Sequence, residues 1–166
     1  MIDAEQTYIQ YAIDSVTRQL QRLHNAERSI IMNTFQGYLK RTLRNVSLDV
    51  LGCTQLGYPF AAKLVRGAYM TEEGQIALKH EEESPVFPNK MLVDKSYNET
   101  MLFAVRNLPP RSHFTIGSHN ETTIELALGA VTEMQKKLED TKCQVSFAQL
   151  KGLGDKLTYN LSLIHI

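Results

Sequence analysis

The sequence has little of what marks several common classes of protein. Lys and Arg together number 18, and so do Asp and Glu, so the formal net charge is zero. A domain that binds nucleic acid usually carries a surplus of positive charge. We therefore expect no DNA or RNA partner.

Cysteine is almost absent. Cys53 and Cys143 are the only two among 166 residues, and neither belongs to a CxxC motif or to a cluster of Cys and His with ligand spacing. Disulfide frameworks and zinc sites require such patterns. We expect neither a disulfide framework nor a metal site, and two isolated thiols fit a reducing compartment.

Long apolar runs and phosphate-binding loops are missing as well. No segment approaches the ~20 apolar residues that cross a bilayer, and the N-terminus lacks the basic-then-apolar layout of a signal peptide. These absences predict a soluble chain. The sequence has no Walker A or GxGxxG loop, so a nucleotide would have to be held in another way.

What the sequence does contain is an alternation of amphipathic helices and short apolar runs. Helices are predicted over residues 4–23, 36–56, 94–107 and 121–139, and buried strands over residues 29–35, 60–66, 113–118 and 144–150. The first strand is predicted to end near Asn33. The stretch 71–89 contains Pro85 and Pro88 and is predicted to be a loop with room for one short helix. Strands separated by helices indicate an α/β chain with a parallel sheet.

Polar residues follow most of the predicted strands. The clusters are Asn33-Thr34, Arg66-Gly67, Ser118-His119-Asn120 and Gln149. In parallel α/β folds, and above all in the eight-stranded barrel, ligands bind at the carboxyl ends of the strands. The four clusters therefore predict one binding face, although a solvated turn would explain any single cluster.

The segment KLVRGAYM, residues 63–70, has the strongest chemical character. Gly67-Ala68 allows the backbone to approach a ligand, and the cations Lys63 and Arg66 suit a phosphate or an electron-rich ring. Two alternatives stay open. Basic residues at a strand end are often ordinary surface groups, and a desolvated Lys63 would suit a Schiff base, as in an aldolase.

Two further polar groups have competing interpretations. Ser118 followed by His119 suggests a nucleophile, but adjacent strand residues point to opposite faces and no third member is evident. We favour hydrogen bonding to a polar ligand. Asp3 and Glu5 precede the first helix, where carboxylates commonly cap a helix N-terminus.

Five blocks, in order, resemble the proline dehydrogenase family in its mitochondrial branch. They are MIDAEQTY (1–8), NTFQGYLK (33–40), KLVRGAYM (63–70), SHN (118–120) and FAQLKGLGD (147–155). The resemblance implies a fragment of a (β/α)8 barrel, about strands 3 to 7. It also implies an FAD enzyme that oxidises L-proline to 1-pyrroline-5-carboxylate by hydride transfer to flavin N5 and passes electrons to quinone. Hydroxyproline dehydrogenase and a truncated, non-catalytic remnant are the alternatives.

The resemblance also implies site residues, position by position. The catalytic residues are Asp3, Lys63 and Tyr69, and the substrate is contacted by Tyr69 and Leu150. The FAD contacts are Asp3, Ala4, Asn33, Lys63, Val65, Gly67, Ala68, Lys90, His119 and Asn120. No metal is implied, and the expected location is the matrix side of the mitochondrial inner membrane.

The family pattern extends beyond this chain at both ends. The first two strands, the eighth strand, a lysine on the second strand and the final helix with its Arg-Arg-x-x-Glu substrate clamp have no counterpart. We therefore expect the chain by itself to fold poorly and to be inactive. Residues 161–166 (LSLIHI) depart from the family and are interpreted as a non-native tail, the translation of a sequencing adapter, after a barrel segment of residues 1–160.

Overall fold

A computed structural model describes the backbone of residues 1–164 and the side chains of residues 1–162. Its elements, in chain order, are α1 (Thr7–His24), β1 (Asn33–Gln36), α2 (Thr42–Leu56), β2 (Ala61–Val65), α3 (Met70–Lys79), α4 (Lys90–Asn107), β3 (His113–Gly117), α5 (Glu121–Asp140), β4 (Gln144–Ala148) and α6 (Asp155–Ile164). This alternation confirms the predicted α/β class. None of these helices is long and apolar enough to cross a membrane.

The four strands form one parallel sheet in the order β1-β2-β3-β4. Each strand pairs with the next along the chain, which is how successive units build the wall of a barrel. Beside β1 runs the extended segment that precedes α1, where the Ile2 amide donates to the Met32 carbonyl at 2.9 Å. At the opposite edge of the sheet, β4 has no strand partner other than β3 within residues 1–164.

The two faces of the sheet differ in chemistry. On the face that we call inner, the register places four polar side chains in a row, Thr34, Lys63, Thr115 and Ser146. The outer face carries a matching apolar row, Phe35, Leu64, Ile116 and Phe147. The outer row packs against α2, α4 and α5 in one hydrophobic core. The helices therefore cover one face and leave the inner face for other contacts.

The first strand is displaced from its predicted position. β1 begins at Asn33, whereas the pattern predicted a strand that ends near Asn33 and a helix from Gln36. The side chain of Asn25 explains the shift, because its oxygen accepts from the amides of Ile30 (3.0 Å) and Ile31 (2.8 Å), and its amide donates to the Ile31 carbonyl (2.8 Å). These bonds satisfy the backbone outside the sheet.

The stretch 71–89, predicted to be a loop with room for one short helix, contains nine of the ten residues of α3 (Met70–Lys79). Glu72 and Glu73 lie in its first turn, where carboxylates interact favourably with the helix dipole. Pro85 and Pro88 come after the helix has ended. The prolines therefore limit the length of the helix without preventing it.

Helix α1 is present as predicted, but its polar side faces the sheet. Its buried residues are Gln10, Asp14, Thr17 and Gln21. The Gln21 side chain donates to the Ala61 carbonyl of β2 at 2.8 Å, while the apolar Val16 and Leu23 are 54% and 73% exposed. The apolar side of α1 is thus uncovered within the described part of the chain.

At the other end, α6 continues to Ile164 and buries Leu161. His165, Ile166 and the side chains of residues 163–164 lie outside the described residues. The side chains of four of the six residues in the predicted non-native tail therefore fall outside them. Its interpretation as an adapter sequence stays a prediction.

Candidate functional site

A cavity of about 850 Å³ opens at the carboxyl ends of the four strands. It is lined by residues 3–5, Thr34, Gln36, Lys63, residues 65–69, Lys90, residues 117–120 and residues 148–150. Sites for small molecules and cofactors typically measure roughly 300–1,000 Å³. The binding face predicted from the polar clusters is thus present as a concave surface of suitable size.

Of the twelve predicted site residues, all but Asn33 line this cavity. Asn33 lies on the outer face, where its amide donates to the buried carboxylate of Asp14 at 3.1 Å. Side chains alternate along a strand, so Thr34 and Gln36 point to the cavity instead. Sequence reasoning missed Gln36 because a helix was predicted from that residue, although the alternation in NTFQ was a signal that could have found it.

Lys63 and Asp3, two of the three predicted catalytic residues, form an ion pair at the cavity. The Lys63 ammonium donates to the Asp3 carboxylate at 2.6 Å, and the two side chains are 21% and 73% exposed. Lys63 lies in the middle of β2 on the inner face, so its long side chain extends toward the cavity. An amine bound to a carboxylate differs from the free, desolvated amine that a Schiff-base lysine requires.

Tyr69, the third predicted catalytic residue, is held by Glu5. Its hydroxyl donates to the Glu5 carboxylate at 2.7 Å. This hydrogen bond is the main reason why the pKa of Tyr69 lies above its ordinary value, and partial desolvation adds to it. Asp3 and Glu5 thus both accept hydrogen bonds from side chains that line the cavity. The alternative that they cap α1 is wrong, because Gln6 occupies the N-cap position and no side chain there accepts from the helix.

Gly67 is required by packing within the protein. Its φ is +123°, and a Cβ at this position would lie 1.5 Å from the ring of Tyr38. Tyr38 is fully buried, and burial raises its pKa to about 12. The chain therefore needs glycine here whether or not a ligand approaches.

Arg66 binds other parts of the protein. Its guanidinium donates to Asp94 at 2.8 Å, to Ser118 at 2.7 Å and to Thr123 at 2.9 Å. Lys90 also pairs with Asp94. Burial raises the pKa of Asp94, but hydrogen bonds from the two cations outweigh it and keep the pKa below its usual value. Arg66 thus links the end of β2 to the start of α5.

The Ser118-His119-Asn120 segment is held by similar contacts. His119 accepts from the Leu150 amide at 2.8 Å, and Asn120 caps α5 by accepting from the Thr123 amide at 3.0 Å. The Ser118 hydroxyl contacts Arg66 and the Asn120 amide. Ser118 is therefore not paired with His119, and the nucleophile alternative has no geometric support.

No group of three or more His, Cys, Asp or Glu residues suited to a metal ion occurs in the part of the chain that the structure describes. The cavity combines three cationic side chains, amide donors and a phenol with the apolar side chains of Val65, Ala148 and Leu150. Such a surface suits a flat organic group with acceptors at its edge.

Known proteins match both the sequence and the fold. The family model "Proline dehydrogenase" matches residues 1–163. Proline dehydrogenase 1, mitochondrial, of Homo sapiens is 37% identical over 163 residues, which cover 97% of this chain and 27% of the relative. Hydroxyproline dehydrogenase of Rattus norvegicus is 34% identical over 167 residues, which cover 97% of this chain and 36% of the relative.

Among solved structures, a mutant proline utilization A of Bradyrhizobium japonicum superposes with a TM-score of 0.82 at 21% identity, over 98% of this chain and 16% of that chain. This likeness confirms the predicted fold, part of a (β/α)8 barrel. The chain spans about a quarter of the length of the human relative. Since the family model covers nearly every residue, the chain belongs to the proline dehydrogenase family of oxidoreductases.

Proposed function

We propose that this chain forms the flavin-binding wall of an enzyme that oxidises L-proline to 1-pyrroline-5-carboxylate. The observation that carries the proposal is the Lys63–Asp3 ion pair, which lies in a cavity at the carboxyl ends of parallel strands. Family membership makes proline the first substrate to test.

FAD is the proposed cofactor, and the lining fits it. When bound, FAD supplies the acceptor for a hydride from the substrate ring. The Lys63 ammonium, which lines the cavity, would hold the electron-rich ring of this group by its positive charge. Gln36 replaces Asn33 among the proposed FAD contacts, because the Gln36 side chain lines the cavity, where its amide donates to the Glu5 carbonyl at 2.9 Å.

Tyr69 and Leu150 are the proposed contacts to the substrate. Tyr69 supplies a phenol whose hydroxyl is fixed by its hydrogen bond to the Glu5 carboxylate. Leu150 supplies an apolar surface that is 65% exposed in this chain, so contact with a pyrrolidine ring would cover it. Asp3 stays beside Lys63 and sets the position of the ammonium.

The proposed electron acceptor is a quinone, and the proposed location is the matrix side of the mitochondrial inner membrane. Both proposals rest on the resemblance, and the human relative is named as mitochondrial.

Hydroxyproline is the second candidate substrate, because the rat relative is named hydroxyproline dehydrogenase. We propose further that the 166-residue chain by itself is inactive, since within residues 1–164 β4 has no strand partner beyond β3 and β1 borders only the short segment before α1.

The test uses the product of the full-length transcript that encodes this chain, called here the complete protein. Purified complete protein should show stoichiometric flavin absorbance and should reduce a soluble quinone with L-proline faster than with hydroxyproline. A preference for hydroxyproline would favour the second candidate. A folded protein that lacks flavin, or that oxidises neither substrate, would refute the proposal in favour of a non-catalytic remnant.

A further inference from the structure

Glu73 is a buried carboxylate that the proposed chemistry does not use. It lies in the first turn of α3 and is 1% exposed. No cationic side chain lies within ion-pair distance of it among residues 1–162. Burying a charged group without a partner is costly. Other contacts must therefore stabilise the Glu73 carboxylate.

Both carboxylate oxygens of Glu73 accept from Thr7. One accepts from the Thr7 amide and the other from the Thr7 hydroxyl, each at 2.6 Å. Thr7 is the first residue of α1, and this helix has neither a side-chain cap at Gln6 nor an acidic residue in its first turn. A carboxylate is stabilised by the partial positive charge at a helix N-terminus. Glu73 therefore serves as the cap of α1, although 66 residues separate the two.

Residues 2–7, which we call the rim segment, connect this cap to the cavity. On the α3 side, Tyr69 donates to Glu5 at 2.7 Å and Gln6 donates to Glu72 at 3.2 Å. On the sheet side, Lys63 donates to Asp3 at 2.6 Å. The rim segment is thus held between α3 and the sheet.

Of the three contacts to α3, the one through Glu73 has the most buried acceptor. Glu72 is exposed, and its bond to Gln6 is exposed too. Hydrogen bonds to exposed groups exchange readily with water and contribute little, whereas losing the partner of a buried group leaves that group unsatisfied. Glu73 is therefore the contact whose loss should release the rim segment.

We propose that Glu73 is a positioning residue, which fixes the start of α1. Asp3 then keeps its hydrogen bond from Lys63, and Glu5 keeps its hydrogen bond from Tyr69. The anchoring itself depends only on these contacts. Its consequence for catalysis rests on the proposed function.

Two variants of the complete protein test the anchoring. Glu73→Leu fills the space but accepts no hydrogen bond, and Glu73→Gln keeps one acceptor for the Thr7 amide. The matched control is Glu72→Gln, which changes the adjacent exposed carboxylate. The first measurement is amide hydrogen exchange followed by mass spectrometry.

We expect Glu73→Leu to speed exchange in peptides that cover residues 2–10 at least tenfold and to leave peptides of β2 and β3 unchanged. Glu73→Gln should give a smaller increase, and Glu72→Gln should match wild type. Unchanged exchange in Glu73→Leu would overturn the proposal. Exchange that rises equally in every helix would also overturn it, since Glu73 would then be a general stability residue.

The second measurement is steady-state kinetics with proline, together with the flavin content. The Michaelis constant of Glu73→Leu should rise about tenfold with flavin content unchanged, and Glu73→Gln should recover most of the loss. If exchange changes as expected but wild type does not oxidise proline, the anchoring stands and the proposed function fails. If exchange changes but the Michaelis constant does not, Glu73 does not position the catalytic rim.

Discussion

The two faces of the sheet differ in what their side chains contact. On the outer face, Leu64, Phe114 and Ile116 are fully buried against helices. On the inner face, the register aligns Lys63 with Thr115, and the Thr115 and Ser146 hydroxyls lie 2.9 Å apart. Strands of a parallel sheet usually carry apolar side chains on both faces. The outer face therefore builds the hydrophobic core, and the polar inner face fits the binding site that we propose at its strand ends.

The largest effect on stability is expected for Phe114→Ala on the outer face. Phe114 is 0% exposed and packs beside Phe60, with ring centroids 6.4 Å apart. Removing such a ring from a core costs about 3–5 kcal/mol. Urea denaturation of the complete protein should show this loss, while the folded fraction retains its flavin. A loss of less than about 1 kcal/mol would contradict the role given to this face.

A smaller effect, dependent on pH, is expected at Asp49 on α2. Burial is the main cause that raises its pKa to about 6, although Arg18 lies 3.3 Å away and opposes the shift. Between about pH 4 and 6 the folded state therefore binds more protons than the unfolded state, so stability falls as pH rises through this window. The loss should be on the order of 2 kcal/mol.

Asp49→Asn should remove that loss, because the amide does not ionise. The measurement is the urea midpoint at pH 4, 5, 6 and 7 for wild type and variant. The matched control is Asp140→Asn, which alters an exposed carboxylate at the end of α5. In this control the urea midpoint should change with pH as it does in wild type. The prediction would be contradicted if the urea midpoint changed with pH equally in wild type and in Asp49→Asn.

The smallest effect on stability is expected for Lys63→Met on the inner face. Methionine keeps most of the aliphatic chain and removes the ammonium, so the free energy of unfolding should change by less than about 1 kcal/mol. Proline turnover should nevertheless fall about 100-fold, since a preorganised charge is lost. Lys40→Met, which removes a surface ion pair with Glu83, is the control and should leave turnover unchanged. If Lys63→Met unfolds the protein, the distinction between the two faces is wrong.

Periodicity in the sequence was enough to predict most of the strands and helices, because the apolar runs and helical stripes that build them are local patterns. The position of β1 was not predictable in this way, since side-chain bonds from Asn25 remove Ile30 and Ile31 from the sheet. That shift explains why Gln36, and not Asn33, lines the cavity.

The inner face and its rim depend on contacts that are distant in sequence. Lys63 was identified by resemblance, but its partner Asp3 lies 60 residues away. Arg66 was left open between a ligand-binding cation and an ordinary surface group, whereas Asp94, Ser118 and Thr123 meet it only after folding. No local sequence pattern predicts hydrogen-bond partners that are this distant in the sequence. The chemistry of single residues was therefore predictable, but their final contacts were not.

The most direct test is a crystal structure of the complete protein with its flavin. We expect the isoalloxazine ring to lie in the cavity at the strand ends. The Lys63 ammonium and the Gln36 amide should each lie about 3 Å from an acceptor at the ring edge. A flavin ring bound elsewhere, or a Lys63 side chain turned away from it, would contradict the account.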